Sequence, residues 1–238
     1  MLRASAIRCP VSRVDGAWIH GRDQNEQYQS LAQRKIAFIG CGALGAAIAR
    51  LLAQVGLGAC ILVDGDDLAG HNTSRHVLGQ RFTGKNKAVA TAKMLKEDFP
   101  HIKSADAFPH RFQALCTADL QKLAECDVVI SAGIDIDGDA ALDHWRTGLA
   151  KPPVHVCAWV EPFAVEAGCG NVFQPHGAVE LQATVGLAAG VALDVFTGRV
   201  SKSMRRVWQG DADDASRRGG IVLPSFTENK SVTEHPWL

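Results

Sequence analysis

The sequence has no surplus of charge of either sign: Lys plus Arg total 25, and Asp plus Glu total 25. A protein that grips nucleic acid through bulk electrostatics needs a basic excess, so nucleic acid is not an expected partner. No apolar stretch approaches the roughly 20 residues of a membrane span. The longest runs, 51–63 and 186–193, are interrupted by Gln54 or stopped at Asp194. No two of the 7 cysteines stand as C-x-x-C, which speaks against a disulfide framework and a four-cysteine zinc site. The N-terminus has no apolar signal core, and the expected compartment is a reducing cytoplasm. Internal repeats and low-complexity tracts are also missing. What is present is a globular composition, 47% hydrophobic and 21% charged, on a chain long enough for one large α/β domain.

Residues 35–39 (KIAFI) read as a short buried strand by length and β-branching. They run straight into Gly40-Cys41-Gly42-Ala43-Leu44-Gly45. Leu44, Ile48, Leu51, Leu52 and Val55 then recur at helical spacing until Gly56. Residues 60–63 form a second buried strand that ends at Asp64. Strand, glycine turn, helix, strand is the opening of a Rossmann-like, doubly wound, mainly parallel sheet of the α/β class. Downstream, the pattern predicts a helix over 87–99, a weak strand over 102–108 and a short helix over 117–124 capped by Thr117. A strand over 127–131, a polar turn, a helix over 139–149 and a strand over 154–160 follow. An amphipathic helix reaches Gly198, and 205–209 reads as a last strand.

Gly40, Gly42 and Gly45 permit a tight turn and a close approach of phosphate to backbone N–H groups at a helix N-terminus. Asp64 lies about 20 residues further on, where a carboxylate grips ribose hydroxyls. The bland alternative is a glycine turn used only for close helix–sheet packing. The obvious functional reading is an NAD-dependent dehydrogenase. The polar segment after Asp64 favours another, because it supplies Asp66, Asn72, Arg75 and Lys87, with Asp135 after the strand at 127–131. A triphosphate site needs such groups: Arg and Lys neutralise phosphate oxygens and an Asp holds Mg²⁺. Asp137 and Asp139 share the loop of Asp135 and are rivals for that metal role. Residues 79–85 fit a P-loop up to the lysine, but Asn86 stands where Ser or Thr is required, and a P-loop is rejected. His71 and His76 lack a third metal ligand and read as surface histidines.

In this order the motifs resemble the ThiF/MoeB/ubiquitin-activating superfamily, over roughly residues 35–198. The phrases IGCGALG, NTSRH, GKNKA, SAGID, WVEP and CGN are most similar to the adenylation domain of bacterial fused conjugating–activating enzymes. The resemblance implies a ThiF-type adenylation domain over 34–210, between an N-terminal arm or linker (1–33) and a polar C-terminal tail (211–238). It implies ATP and Mg²⁺, with Gly40, Gly42 and Gly45 at the phosphates, Asp64 and Asp66 at the nucleoside side, and Asn72 and Arg75 orienting the phosphates. Lys87 would stabilise charge at the α-phosphate and Asp135 would hold Mg²⁺. The implied reaction joins a protein C-terminal carboxylate to AMP and releases pyrophosphate.

Cys169, between small residues, is the candidate for a following thioester; the alternative is a buried structural cysteine. Cys157, inside an apolar strand, reads as core. The implied partners are a protein with a free C-terminal tail, a conjugating enzyme and a second copy of the chain, whose Arg13 or Arg22 would reach across a homodimer. The segment between Trp159 and Cys169 is shorter than the crossover segment usual in the family, and the family's paired-cysteine zinc site is absent. Within the same superfamily, a tRNA-modifying dehydratase and a degenerate dimeric scaffold remain alternatives, the former poorly served by zero net charge.

Overall fold

Short apolar runs without alternation form strands buried on both faces, and this chain has several. In a computed structural model, residues 12–21, 27–160, 178–200, 202–208 and 232–236 are described. β1 (Lys35–Ile39), β2 (Ala59–Val63), β3 (Ser104–Phe108), β4 (Val128–Ala132) and β5 (Val154–Ala158) make one sheet in the order β3-β2-β1-β4-β5. Every pairing in it is parallel. Parallel neighbours need crossovers, and helices supply them. The helices are α1 (Gly16–Gly21), α2 (Gln27–Leu31), α3 (Ala43–Val55), α4 (Lys87–Asp98), α5 (Thr117–Ala124), α6 (Ile136–Thr147) and α7 (Ala178–Phe196).

The strand period of two splits the core into halves. Ile36, Phe38, Cys60, Leu62, Val128 and Ile130 belong to one cluster with Ile48 and Leu52 of α3, Leu95 of α4, and Leu181 and Val185 of α7. Ala37, Ile39, Ile61, Val63 and Val129 pack on the other face with Leu123 of α5 and Leu142 of α6. Gly56 ends α3 in the left-handed region, φ 115°, and its N–H reaches the Leu52 and Ala53 carbonyls. A glycine takes up that conformation without steric cost.

Three local expectations are corrected. Cys116, not Thr117, is the N-cap of α5, and Thr117 is already helical. α6 starts at Ile136, earlier than the periodicity suggested, because Asp135 caps it: Asp135 Oδ1 accepts the Gly138 N–H at 2.7 Å. Cys157 is exposed on β5 rather than core. Outside the main sheet, β6 (Met204–Trp208) pairs antiparallel with β7 (Val232–Pro236), so the segment expected to be only a polar tail contributes a strand. Asp194 of α7 holds β6 through Arg206 Nη1 at 2.6 Å and also pairs with Arg199 Nε at 2.6 Å. Among the described residues, no helix is long and apolar enough to cross a membrane.

Candidate functional site

The strand order reverses between β1 and β4, which lie side by side although their chains leave in opposite directions. A crevice opens outside the carboxyl ends of such strands, and ligands of open α/β sheets bind there. The loop after β1 holds Gly40, Cys41 and Gly42. Gly40 has φ 91°, and a Cβ there would overlap the Ala132 carbonyl of β4. A Cβ on Gly45 would overlap the Gly40 carbonyl. These two glycines are required by packing. Gly42 is not: its backbone is extended, φ −71° and ψ −165°, and a Cβ there would meet nothing within 4 Å. The packing reading therefore accounts for Gly40 and Gly45 but leaves Gly42, at the N-terminus of α3, unexplained from within the protein.

Asp64 ties this loop to the next one. Its Oδ2 accepts the Cys41 N–H at 2.7 Å and its Oδ1 accepts the Asp66 N–H at 2.8 Å. Burial pushes the Asp64 carboxyl above its ordinary range, against the pull of those two N–H groups and of Lys87. Each oxygen keeps a lone pair for a further donor. Lys87, first residue of α4, has a largely buried side chain whose Nζ lies 3.2 Å from Asp66 Oδ2. Asn72 sits in a 3₁₀ turn, where its Oδ1 accepts the Ala69 N–H at 3.0 Å. Its carbonyl oxygen accepts from the N–H groups of Arg75 and His76. Arg75 is half-buried at the end of that turn.

Asp135 presents its second oxygen to this cluster, with Oδ2 3.7 Å from Arg111 Nη1. Its rival Asp139 is turned toward β5: Asp139 Oδ2 lies 4.0 Å from the Cys157 thiol, and its Oδ1 is buried without a hydrogen-bond partner. Among the described residues, no group of three or more His, Cys, Asp or Glu side chains could hold a metal by itself. Mg²⁺ does not need one, since it keeps waters and phosphate oxygens and takes one or two carboxylates. The outward oxygen of Asp135 is exposed and takes no part in the cap, which fits that role, with Arg111 as its competitor.

Three residues were not assigned to the site by the sequence. Arg111 spans the cleft, Nη2 lying 3.8 Å from Asp66 Oδ1 while Nη1 faces Asp135. Gly65 makes room for it, because a Cβ there would come within 2.9 Å of the Arg111 backbone nitrogen. Nothing in the sequence around Arg111 marks it. Asn86 caps α4 through Oδ1, which accepts the Val89 N–H, and its Nδ2 donates to the Asp64 carbonyl at 2.9 Å. An Asn immediately before a helical pattern is a legible cap signal. His76, expected at the surface, is buried, and its ring is bonded on both sides, to the Cys41 carbonyl and the Leu78 N–H. His71 is exposed, as expected.

Neither Cys41 nor Cys60 is a nucleophile. Burial pushes the Cys41 thiol well above its usual range and the Cys60 thiol up to about 12. Cys169 and the start of the WVEP-to-CGN segment at Glu161 lie outside the described residues.

Comparison with known proteins bears on this site. Over 158 residues the chain is 33% identical to Cap2, an ATP-dependent ubiquitin transferase-like protein of Pseudomonas aeruginosa, covering 63% of this chain and 26% of that protein. The chain thus spans about a quarter of that relative's length. In structure it resembles PaaA, with a TM-score of 0.65 at 17% identity over 99% of this chain and 77% of PaaA. It also resembles Escherichia coli MccB crystallised with ATP, with a TM-score of 0.58 at 20% identity over 74% of this chain and 59% of MccB. At such identities these two likenesses establish the fold. The family model for ThiF matches residues 20–158, and the chain belongs to the ThiF family.

Proposed function

We propose that this chain uses ATP to adenylate the C-terminal carboxylate of a protein substrate. The observation that carries the reading is the site itself. Lys87 and Arg111 pair with Asp66 and Asp135 beside Asp64 at the carboxyl ends of the strands, next to a glycine whose missing side chain the packing does not require. Support comes from the relative named as an ATP-dependent ubiquitin transferase-like protein and from the neighbour crystallised with ATP.

The chemistry brings two anions together. A substrate carboxylate oxygen attacks the α-phosphorus, the bond to the β-phosphate oxygen breaks, and pyrophosphate leaves. Catalysis then rests on neutralising charge and holding geometry. Asp64 and Asp66 hold the nucleoside side, the N-terminus of α3 at Gly42 receives phosphate, Asn72 and Arg75 orient the phosphates, and Lys87 offsets charge at the α-phosphate. Mg²⁺, held by Asp135, supplies further neutralisation of the phosphate oxygens when bound. In a second step the Cys169 thiolate attacks the acyl carbon, giving a thioester and releasing AMP. In the same reading the chain is a cytoplasmic homodimer that passes its acyl group to a conjugating enzyme, with 34–210 as the adenylation unit.

The test is ATP–pyrophosphate exchange in the presence of a ubiquitin-like protein ending in glycine, with a free or an amidated C-terminus. Exchange is expected only with the free carboxylate. Equal exchange with the amidated form would sink the proposal. So would binding of reduced nicotinamide cofactor that ATP fails to displace. Intact-mass detection of an acyl adduct, lost in Cys169→Ala, decides the second step.

A further inference from the structure

The Cys41–Gly42 peptide is held from two directions. Ahead of it, the Cys41 N–H is bound by Asp64 Oδ2 at 2.7 Å. The Cys41 carbonyl lies 2.8 Å from Nε2 of His76. The tautomer follows from the other side of the ring: the Leu78 N–H donates to Nδ1 at 3.1 Å, so Nδ1 is bare and Nε2 carries the proton. His76 therefore donates to Cys41. The ring is 7% exposed and bonded at both nitrogens, so it has no rotational freedom to spare.

A trans peptide is planar, and its N–H points opposite to its C=O. Fixing the Cys41 carbonyl toward His76 therefore turns the Gly42 N–H the other way, at the N-cap of α3, a residue whose Cβ position meets nothing within 4 Å. His76 also follows Arg75 directly, so one short segment carries both a phosphate-directed cation and the brace of the glycine loop. We infer that His76 is a positioning residue for the nucleotide loop: it locks the Cys41–Gly42 peptide plane so that the Gly42 N–H is presented for a phosphate oxygen. The inference rests on the adenylation reading for the identity of that oxygen, but not for the locking of the loop.

Two variants separate the two ring bonds. An Asn side chain places its oxygen where Nδ1 accepts from Leu78 but does not reach Cys41. A Gln side chain places its NH₂ where Nε2 donates to Cys41. The full chain is measured as wild type, His76→Asn and His76→Gln, by amide exchange over the peptide covering residues 40–45 without nucleotide, and by calorimetric titration with ATP and Mg²⁺. His76→Asn is expected to speed exchange in the loop and to weaken ATP binding about tenfold, the scale of one lost hydrogen bond. His76→Gln is expected to restore both to within about threefold of wild type. Unchanged exchange in His76→Asn, or no rescue by Gln, overturns the inference. If wild type binds no ATP, the adenylation reading fails, while the exchange arm still decides whether His76 locks the loop.

Discussion

The guanidinium of Arg111 stands 3.7 Å from Asp135 Oδ2 and 3.8 Å from Asp66 Oδ1, bridging two carboxylates that reach the cleft from different strand ends. The side chain is 68% exposed, so these contacts add little to stability. Their interest is chemical, because a cation poised between the acids is also placed to meet phosphate. Arg111→Ala should shift the unfolding free energy by less than about 1 kcal/mol. It should raise the KM for ATP about tenfold, through loss of a charge-assisted donor. Thermal denaturation and exchange kinetics on the same preparation check both halves.

Asp135 caps α6 with one oxygen and, in the proposed reading, holds Mg²⁺ with the other. Removing the side chain confounds the two roles, since loss of an N-cap alone costs about 1 kcal/mol. Asparagine caps as well as aspartate but carries no charge. Asp135→Asn should therefore keep the wild-type melting temperature and lower pyrophosphate exchange by at least about two orders of magnitude. Asp135→Ala should lose both. Full exchange in Asp135→Asn would remove Asp135 from the metal.

The glycines should separate by role. Gly42→Ala fits the existing backbone and open space, so stability should stay within about 0.5 kcal/mol of wild type. ATP affinity should nonetheless fall about tenfold or more, because a methyl group stands where phosphate must approach the backbone. Gly45→Ala drives a methyl into the Gly40 carbonyl and should cost about 1–3 kcal/mol or more. Parallel melting curves and ATP titrations distinguish the two, and a destabilised Gly42→Ala would contradict the assignment.

Three histidines should make the fold acid-sensitive. Burial lowers the pKa of His76, His101 and His155 below the ordinary value of 6.5. The native state thus favours their neutral forms, and the unfolded chain binds more protons once the pH drops under 6.5. Their contribution is whole above that value and declines as pH falls below it. Asp64 works in the opposite sense, because its raised pKa lets protonation relieve its burial as the pH falls toward the ordinary carboxylate value of 3.8. The melting temperature should fall as the pH drops below 6.5. His101 donates to the Ala53 carbonyl at 2.8 Å, a bond that glutamine can keep without titrating. His101→Gln should flatten the slope, and an unchanged slope would exclude His101 from it.

Much of this molecule was legible in one dimension. Uninterrupted apolar runs such as KIAFI marked strands covered on both faces, and Gly56 marked the stop of α3. The glycine turn between strand and helix predicted the crevice, and the charges after Asp64 argued for a triphosphate over a nicotinamide. One error fell where a capping bond overrode periodicity. α6 begins at Ile136 because the Asp135 carboxylate satisfies the Gly138 N–H, a contact that hydrophobic spacing does not register.

The order of residue types was enough to specify the parallel sheet and the loop that opens α3, and to point to Asp64, Asp66 and Lys87 beside it, because periodicity and turn chemistry act over a few neighbouring positions. Only the folded chain decided that Arg111 joins Asp66 to Asp135, that Gly42 alone of the three glycines faces open space, and that His76 braces the loop. His76 and Cys41 are 35 positions apart, and the group His76 binds is a backbone carbonyl. Every residue carries such a carbonyl, so its partner leaves no mark in the sequence.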